Sequence, residues 1–198
     1  MVSVAQQREI WNPAVIDGPR VILRRHRPED LSSVRRWYRD PDLARLTRYS
    51  VRPMGDDEID RFFQTRLLSP ETVAYAIVVR AQRRLIGLTT FSNLDPDNGS
   101  VLFHISIGEH DAWNRGYGTE ATELMLELAF ERIGLHRVGL SVFSFNTRAV
   151  RAYEKAGFRH EGREREAIIR DGRRWDELTM GILSHEWQTH RAARPATR

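Results

Sequence analysis

The sequence predicts an α/β domain of the α+β kind: a central mixed, mostly antiparallel seven-stranded sheet flanked by about four helices. Three observations carry this expectation. Between residues 73 and 107 three β-rich runs succeed one another across short turns, residues 119–133 hold apolar side chains at helical spacing, and an Asp-Gly turn at 171–172 joins two final strands.

Taken in order, residues 1–19 are polar, lack periodicity and end in the turn signal Asp17-Gly18-Pro19, so they read as an arm. The domain is expected from Arg20 to Trp187, with 188–198 as a basic flexible tail. Val21-Ile22-Leu23 reads as the first strand. Pro28-Glu29-Asp30 opens a helix with Leu31, Val34 and Tyr38 on one face, ended by Asp40-Pro41. Asp56-Asp57-Glu58 starts a second helix, its apolar side formed by Ile59, Phe62, Phe63 and Leu67. Val73–Val79 and Leu85–Phe91 flank a hairpin turn, and Val101–Ile107 follows the turn Asp95–Gly99. Ala121, Leu124, Met125, Leu128 and Ala129 mark the long helix that Gly134 closes. Val138–Phe145 is strand, Thr147–Ala156 a short helix stopped by Gly157, and Phe158 and Trp175–Leu183 begin and complete the last hairpin.

Composition excludes several classes. No apolar run approaches the roughly 18 residues of a membrane span. The first twenty residues lack the apolar core of a secretion signal, so the expected compartment is the cytoplasm. There is no cysteine, which removes disulfides, Cys-ligated metals and a Cys-linked acyl-enzyme. The net charge of +4 falls to +1 once Arg191, Arg194 and Arg198 are set aside, so the folded body is not expected to bind nucleic acid.

Two constellations could carry chemistry. Trp113-Asn114-Arg115-Gly116-Tyr117-Gly118-Thr119 joins a strand to the long helix. Two glycines and a helix N-terminus make an anion nest suited to a pyrophosphate, though a tight turn needing glycine only for its dihedrals fits equally. No Gly-Lys-Ser/Thr follows and the third dinucleotide glycine is missing, so Walker and Rossmann readings fall. In the second, Asn146, Ala149 and Tyr153 share one helix face. Asn146 could be only an N-cap and Tyr153 only a half-buried core aromatic.

Trp113–Ala121 resembles the acetyl-coenzyme-A motif of the GNAT N-acetyltransferases, and Ser144-Phe145-Asn146 through Gly157-Phe158 resembles their second cofactor motif. Ala129-Phe130, Leu135-His136-Arg137-Val138, Glu161-Gly162, Asp171-Gly172, Asp176 and Met180 resemble the RimJ/RimL-like branch, which acetylates protein N-terminal amines and has many small-molecule relatives. The resemblance spans about Arg20 to Trp187. It implies acetyl-CoA as co-substrate, with backbone around Arg115, Gly116, Tyr117, Gly118 and Thr119 on its pyrophosphate and Asn146 on the pantetheine side. It also implies that the strand at Ile105-Ser106-Ile107 splays from its neighbour near Val142 and pairs with pantetheine. Two amides let pantetheine act as a short strand at an open edge.

Without Cys or a Ser motif, direct attack of an amine in a ternary complex is the simplest acetyl transfer. A backbone N–H near Ile107 could polarise the carbonyl, and Tyr153 is the candidate acid for the leaving sulfur. Many relatives carry an acid near the position of Leu102; this chain does not, and His104 on the same sheet face is the candidate base. Glu109, Glu166, Asp176 and a water relay are alternatives. Where some RimL-like enzymes have Ser, this chain has Ala149. Trp37, Tyr38, Arg48, Tyr49 and Trp175 are candidate acceptor contacts, with Trp37 and Tyr38 equally readable as core aromatics. The expected acceptor is a protein or peptide N-terminal amine. The alternatives are a small amine of polyamine, antibiotic or amino-acid type, or a non-catalytic acyl-CoA-binding or ribosome-associated module. No metal is expected, and the 95–99 turn and last hairpin are candidate homodimer edges.

Overall fold

A computed structural model describes residues 11–193. Eight strands form one sheet: β1 (Val15–Asp17), β2 (Val21–Arg25), β3 (Ala74–Val79), β4 (Arg84–Asp95), β5 (Ser100–Ile107), β6 (Arg137–Phe143), β7 (Arg159–Arg170) and β8 (Arg173–Leu183). Their order is β1-β2-β3-β4-β5-β6-β8-β7, and every neighbouring pair is antiparallel except β5 with β6. Six α-helices accompany them among the described residues: α1 (Leu31–Arg39), α2 (Pro41–Thr47), α3 (Asp56–Phe62), α4 (Tyr117–Glu127), α5 (Thr147–Lys155) and α6 (Ser184–Ala192). Wider helical turns extend α3 through Leu67 and α4 through Ile133, where Gly134 at φ 81° ends the run.

The helices divide between the two sheet faces. Side chains of α4, α5 and α6, such as Met125, Tyr153 and Trp187, join Leu23, Ile77, Phe103 and Met180 in one core. On the other face Val34, Trp37, Leu43, Ile59 and Phe63 from α1–α3 cover Ala74 and Leu88. With both faces covered, β3 is buried along its whole length, which is why its sequence is continuously apolar instead of alternating.

Three boundaries differ from the sequence expectation. The eighth strand comes from the expected arm: Asp17 and Gly18 form a hairpin turn, Gly18 N donating to Val21 O at 2.9 Å, and β1 pairs with β2. Ile16 is 2% exposed, and burying such a side chain contributes roughly 1.5–3 kcal/mol, enough to fix a three-residue edge strand. Residues 1–10 of that arm lie outside the described residues. Asp40-Pro41 ends α1 and also starts α2, because the Asp40 carboxylate accepts from Asp42 N (2.8 Å) and Leu43 N (3.2 Å) with Pro41 at the first helical position. The expected tail is helical as far as Ala192, anchored by buried Trp187; residues 194–198 lie outside the described residues. The final hairpin turns as expected, with Asp171 at φ 52° and Gly172 at φ 71°, both in the left-handed region a tight Asp-Gly turn needs.

Candidate active site

The parallel pair β5 and β6 holds register for three rungs, Ser100 with Arg137, Val101 with Val138 and Leu102 with Gly139. Beyond Leu102 the strands part. β5 stays paired with β4 to Ile107 and β6 with β8 to Phe143, so two strand edges face each other across a wedge. A groove of about 1250 Å³ runs through it, lined by His104, Ile105, Ser106 and Ile107 on one side and Leu140–Phe143 on the other. The expected splay is therefore present.

At one end the groove meets the start of α4. Gly116 is the N-cap at φ 79°, and no side chain caps this helix, leaving its first-turn amides free for an anion. Gly116, Gly118 and Thr119 line the groove. A Cβ at Gly118 would stand 3.6 Å from Ile107 Cγ1, so neither packing nor backbone demands glycine there; its bareness keeps open the space between α4 and β5. Arg115 and Tyr117 flank the groove and are held by Arg20, which donates to Arg115 O at 2.6 Å and lies 4.8 Å over the Tyr117 ring. Arg20 also binds Glu120 at 3.0 Å, tying β2 to the helix start.

The sequence reading missed a basic wall. Arg148, Arg151 and Lys155 project from α5 along the groove, none with a carboxylate partner among the described residues. Arg148 stacks 3.7 Å above the Trp113 ring, and burial lowers its pKa. The signal was their i, i+3 and i+7 spacing on α5.

Asn146 is the N-cap of α5, accepting from Ala149 N at 3.3 Å, and its amide donates to Leu46 O at 3.2 Å. It thus caps one helix and straps α2 across the groove. Tyr153 is buried, its ring edge-on to Phe103 (6.3 Å) and Phe158 (5.8 Å). Its hydroxyl has no hydrogen-bond partner among the described residues, and burial alone raises its pKa above the ordinary phenol value. The residue is therefore protonated throughout the physiological range and lines the groove from the α5 face.

His104 lies on the opposite sheet face, one position beyond Phe103, as strand alternation requires. Its Nε2 is 2.7 Å from Ser92 Oγ, and burial lowers its pKa, so it is neutral at pH 7. The other expected bases are placed elsewhere. Glu109 is bound to Arg36 and accepts from Trp37 Nε1 at 2.7 Å, Asp176 pairs with Arg163 at 3.1 Å, and Glu166 lies 4.0 Å from Arg174; none of the three lines the groove.

The acceptor contacts divide. Trp37 is 2% exposed and packed on Gly108, where a Cβ would come within 2.2 Å of its ring; it is a core residue that forms part of the groove floor. Tyr38 is half-buried against that core, its ring 5.0 Å from Phe62, and it also lines the groove; burial raises its pKa. Trp175 does not line the groove: its ring meets Phe145 edge-on at 5.5 Å and its indole N–H is buried without a partner among the described residues. Tyr49 is on the groove, with its ring edge-on to Phe143 at 5.4 Å and its hydroxyl donating to Glu177 Oε1 at 2.5 Å. Burial and Glu177 push its pKa up to about 12. Glu177, a strand carboxylate with no sequence signal of function, also faces the groove. Away from it, Asp40, Asp42 and His110 bring ligand-type atoms within 4.8 Å of one another, with Asp40 already capping α2.

A sheet parted beside an uncapped, glycine-lined helix start, with a basic wall, defines a site for an extended diphosphate-bearing co-substrate. This is the architecture of an acyl-CoA-dependent transferase. A family model described as "Acetyltransferase (GNAT) domain" matches residues 20–159, and the chain belongs to that family. Curated relatives include an uncharacterised N-acetyltransferase of Bacillus licheniformis, 23% identical, with 85% of this chain and 95% of the relative covered. Another is a spermidine N(1)-acetyltransferase of Vibrio cholerae, 32% identical across 56% of this chain and 64% of the relative. Among solved structures, a spermidine N-acetyltransferase from Vibrio cholerae in complex with CoA and spermine shares the fold at TM-score 0.76 and 23% identity, covering 86% and 99%. A GNAT-family acetyltransferase from Bacillus anthracis does so at 0.74 and 22%, covering 86% and 99%. The protein is thus an acetyl-CoA-dependent N-acetyltransferase. Among the described residues no helix is long and apolar enough to cross a membrane.

Proposed function

We propose that the protein moves an acetyl group from acetyl-CoA to a primary amine by direct attack in a ternary complex, within the RimJ/RimL-like branch. The parting of β5 from β6 at Leu102 carries this reading, because it leaves an open strand edge at Ile105–Ile107 that the amides of a pantetheine arm can complete. The first-turn amides of α4 and the α5 cations suit the diphosphate, while Asn146 fixes the corner between α2 and α5. Acetyl-CoA supplies an activated thioester. The chain supplies position, the exclusion of water and proton handling.

Position is the larger part: holding an amine against an acyl group can lower a barrier by up to about 7–11 kcal/mol in ideal intramolecular cases. Tyr153 then donates its proton toward the departing sulfur. His104, neutral and on the other sheet face, takes the proton from the incoming amine. Acid and base thus stand on the sulfur and amine sides of the sheet.

A protein or peptide N-terminus is supported by the branch motifs, and a small amine by the spermidine acetyltransferase relative. Calorimetry with acetyl-CoA followed by thiol release over an amine panel tests the proposal. Binding with turnover on at least one amine is expected, whereas binding with no turnover on any would turn the reading toward an acyl-CoA sensor.

A further inference from the structure

Ser92 lies on β4, diagonal to His104 on β5. The direct partners are Thr90 with His104 and Ser92 with Leu102, so these four side chains share one face of the sheet. Ser92 and His104 both line the groove, and Ser92 Oγ is 2.7 Å from His104 Nε2.

The β4–β5 ladder breaks directly after the serine. Register is lost between Ser92 and Asp95, and Asn93 takes the left-handed region at φ 51°, which asparagine tolerates better than most residues. Such bulges re-aim side chains and concentrate beside active sites. On the β5 side the backbone is held, because buried Thr89 donates from Oγ1 to His104 O at 2.9 Å. Serine and histidine thus meet where one strand is bent and the other fixed.

This contact limits how His104 can act as a base. A neutral imidazole offers one lone pair and one N–H, and His104 has no hydrogen-bond partner on Nδ1 among the described residues. With the ring proton on Nδ1, Ser92 donates to Nε2, and that lone pair is closed to an incoming amine. The electron pairs of Ser92 Oγ stay open to it, so a base working through Nε2 must work through the serine. With the ring proton on Nε2, the histidine donates to Ser92 instead and the pair offers no route for a proton from the hydroxyl to the ring.

We propose that Ser92 is a further catalytic residue, the group that touches the acceptor amine and passes its proton to His104. As the C–N bond forms and the C–S bond breaks, the nitrogen gives a proton to Ser92 Oγ while Oγ gives its own to Nε2. His104 ends as imidazolium, the sulfur leaves with the Tyr153 proton, and exchange with solvent restores both side chains. Ser92 begins and ends as a neutral hydroxyl, and no acyl-enzyme forms.

The relay rests on the acetyltransferase reading, so one arm of its test needs no turnover. Nitrogen NMR of the imidazoles, with the His104 signals identified by their loss in His104→Gln, should show Nδ1 protonated and Nε2 bare at neutral pH. A proton on Nε2 would overturn the relay whether or not any amine is acetylated. The second arm is thiol release at saturating acetyl-CoA on an amine the native protein turns over. Ser92→Ala should lower kcat at least tenfold with KM for the amine within about threefold, and Ser92→Thr, which keeps the hydroxyl, should stay within about threefold of native. Residues acting as one unit do not add, so Ser92→Ala with His104→Gln should fall no more than about threefold below the slower single variant. Unchanged turnover in Ser92→Ala, multiplied losses in the double variant, or a burst of thiol without amine would overturn it. Absence of turnover on every amine by the native protein would instead remove the acetyltransferase reading, and the NMR result would still decide the serine–histidine geometry.

Discussion

Replacing Tyr153 by Phe isolates one oxygen atom. The ring is buried between Phe103 and Phe158, and Phe fills the same volume, so both edge-on contacts at 6.3 and 5.8 Å survive. Because the hydroxyl has no protein partner among the described residues, its removal strands no buried donor. Folding stability should therefore hold or rise slightly. What is lost is the proton directed at the departing sulfur. A hydrogen bond to a charged group contributes about 1.5–3 kcal/mol, which at 1.36 kcal/mol per factor of ten is a fall in kcat of about 10- to 150-fold. Acetyl-CoA affinity should stay within about twofold, since this interaction strengthens only as the thiolate develops. Steady-state thiol release at saturating amine, calorimetry with acetyl-CoA and a thermal melt give the three quantities. An unchanged kcat at saturating amine would refute the acid role, and a large loss of affinity with kcat intact would move Tyr153 to simple cofactor binding.

Gly116→Val should weaken acetyl-CoA at least tenfold by calorimetry. A left-handed φ of 79° costs an L-residue about 1–2 kcal/mol, and the new Cβ would press to 3.2 Å from Arg20 Nη2, shifting the helix start. His104→Ala should abolish an acidic limb in the kcat/KM pH profile. Burial lowers the His104 pKa, so that limb should lie below the ordinary imidazole value near 6.5, with the base fully active at pH 7; a profile identical to the native one would favour a water relay. Trp37→Ala should cost about 3–5 kcal/mol in a denaturant melt, the range for emptying a large buried aromatic, and a loss under 1 kcal/mol would return Trp37 to the acceptor wall.

Much of this molecule is written locally. Asp171-Gly172 adopts the two positive φ values its sequence announces, the apolar spacing of 121–129 gives α4, and Gly116 takes the conformation a helix start beside an anion site requires. The Asp40-Pro41 start of α2 was equally legible, since an N-cap followed by proline marks a beginning as well as an end. β1 was less so, because a three-residue strand offers too little pattern to separate from a polar arm. Trp37, Tyr49 and Trp175 looked alike as aromatic acceptor contacts, and only packing separated a core residue, a groove residue and one turned away.

The sequence by itself determined the elements and the glycine-lined bend, because backbone dihedrals and side-chain periodicity depend on neighbours in the chain. Tertiary structure alone decided where β5 leaves β6, which side of the sheet His104 and Tyr153 each face, and that Tyr49 meets Glu177 at the groove. Those are relations between segments tens of residues apart. They follow from strand order and register, which come from burying two faces of one sheet at once and not from any local run of residues.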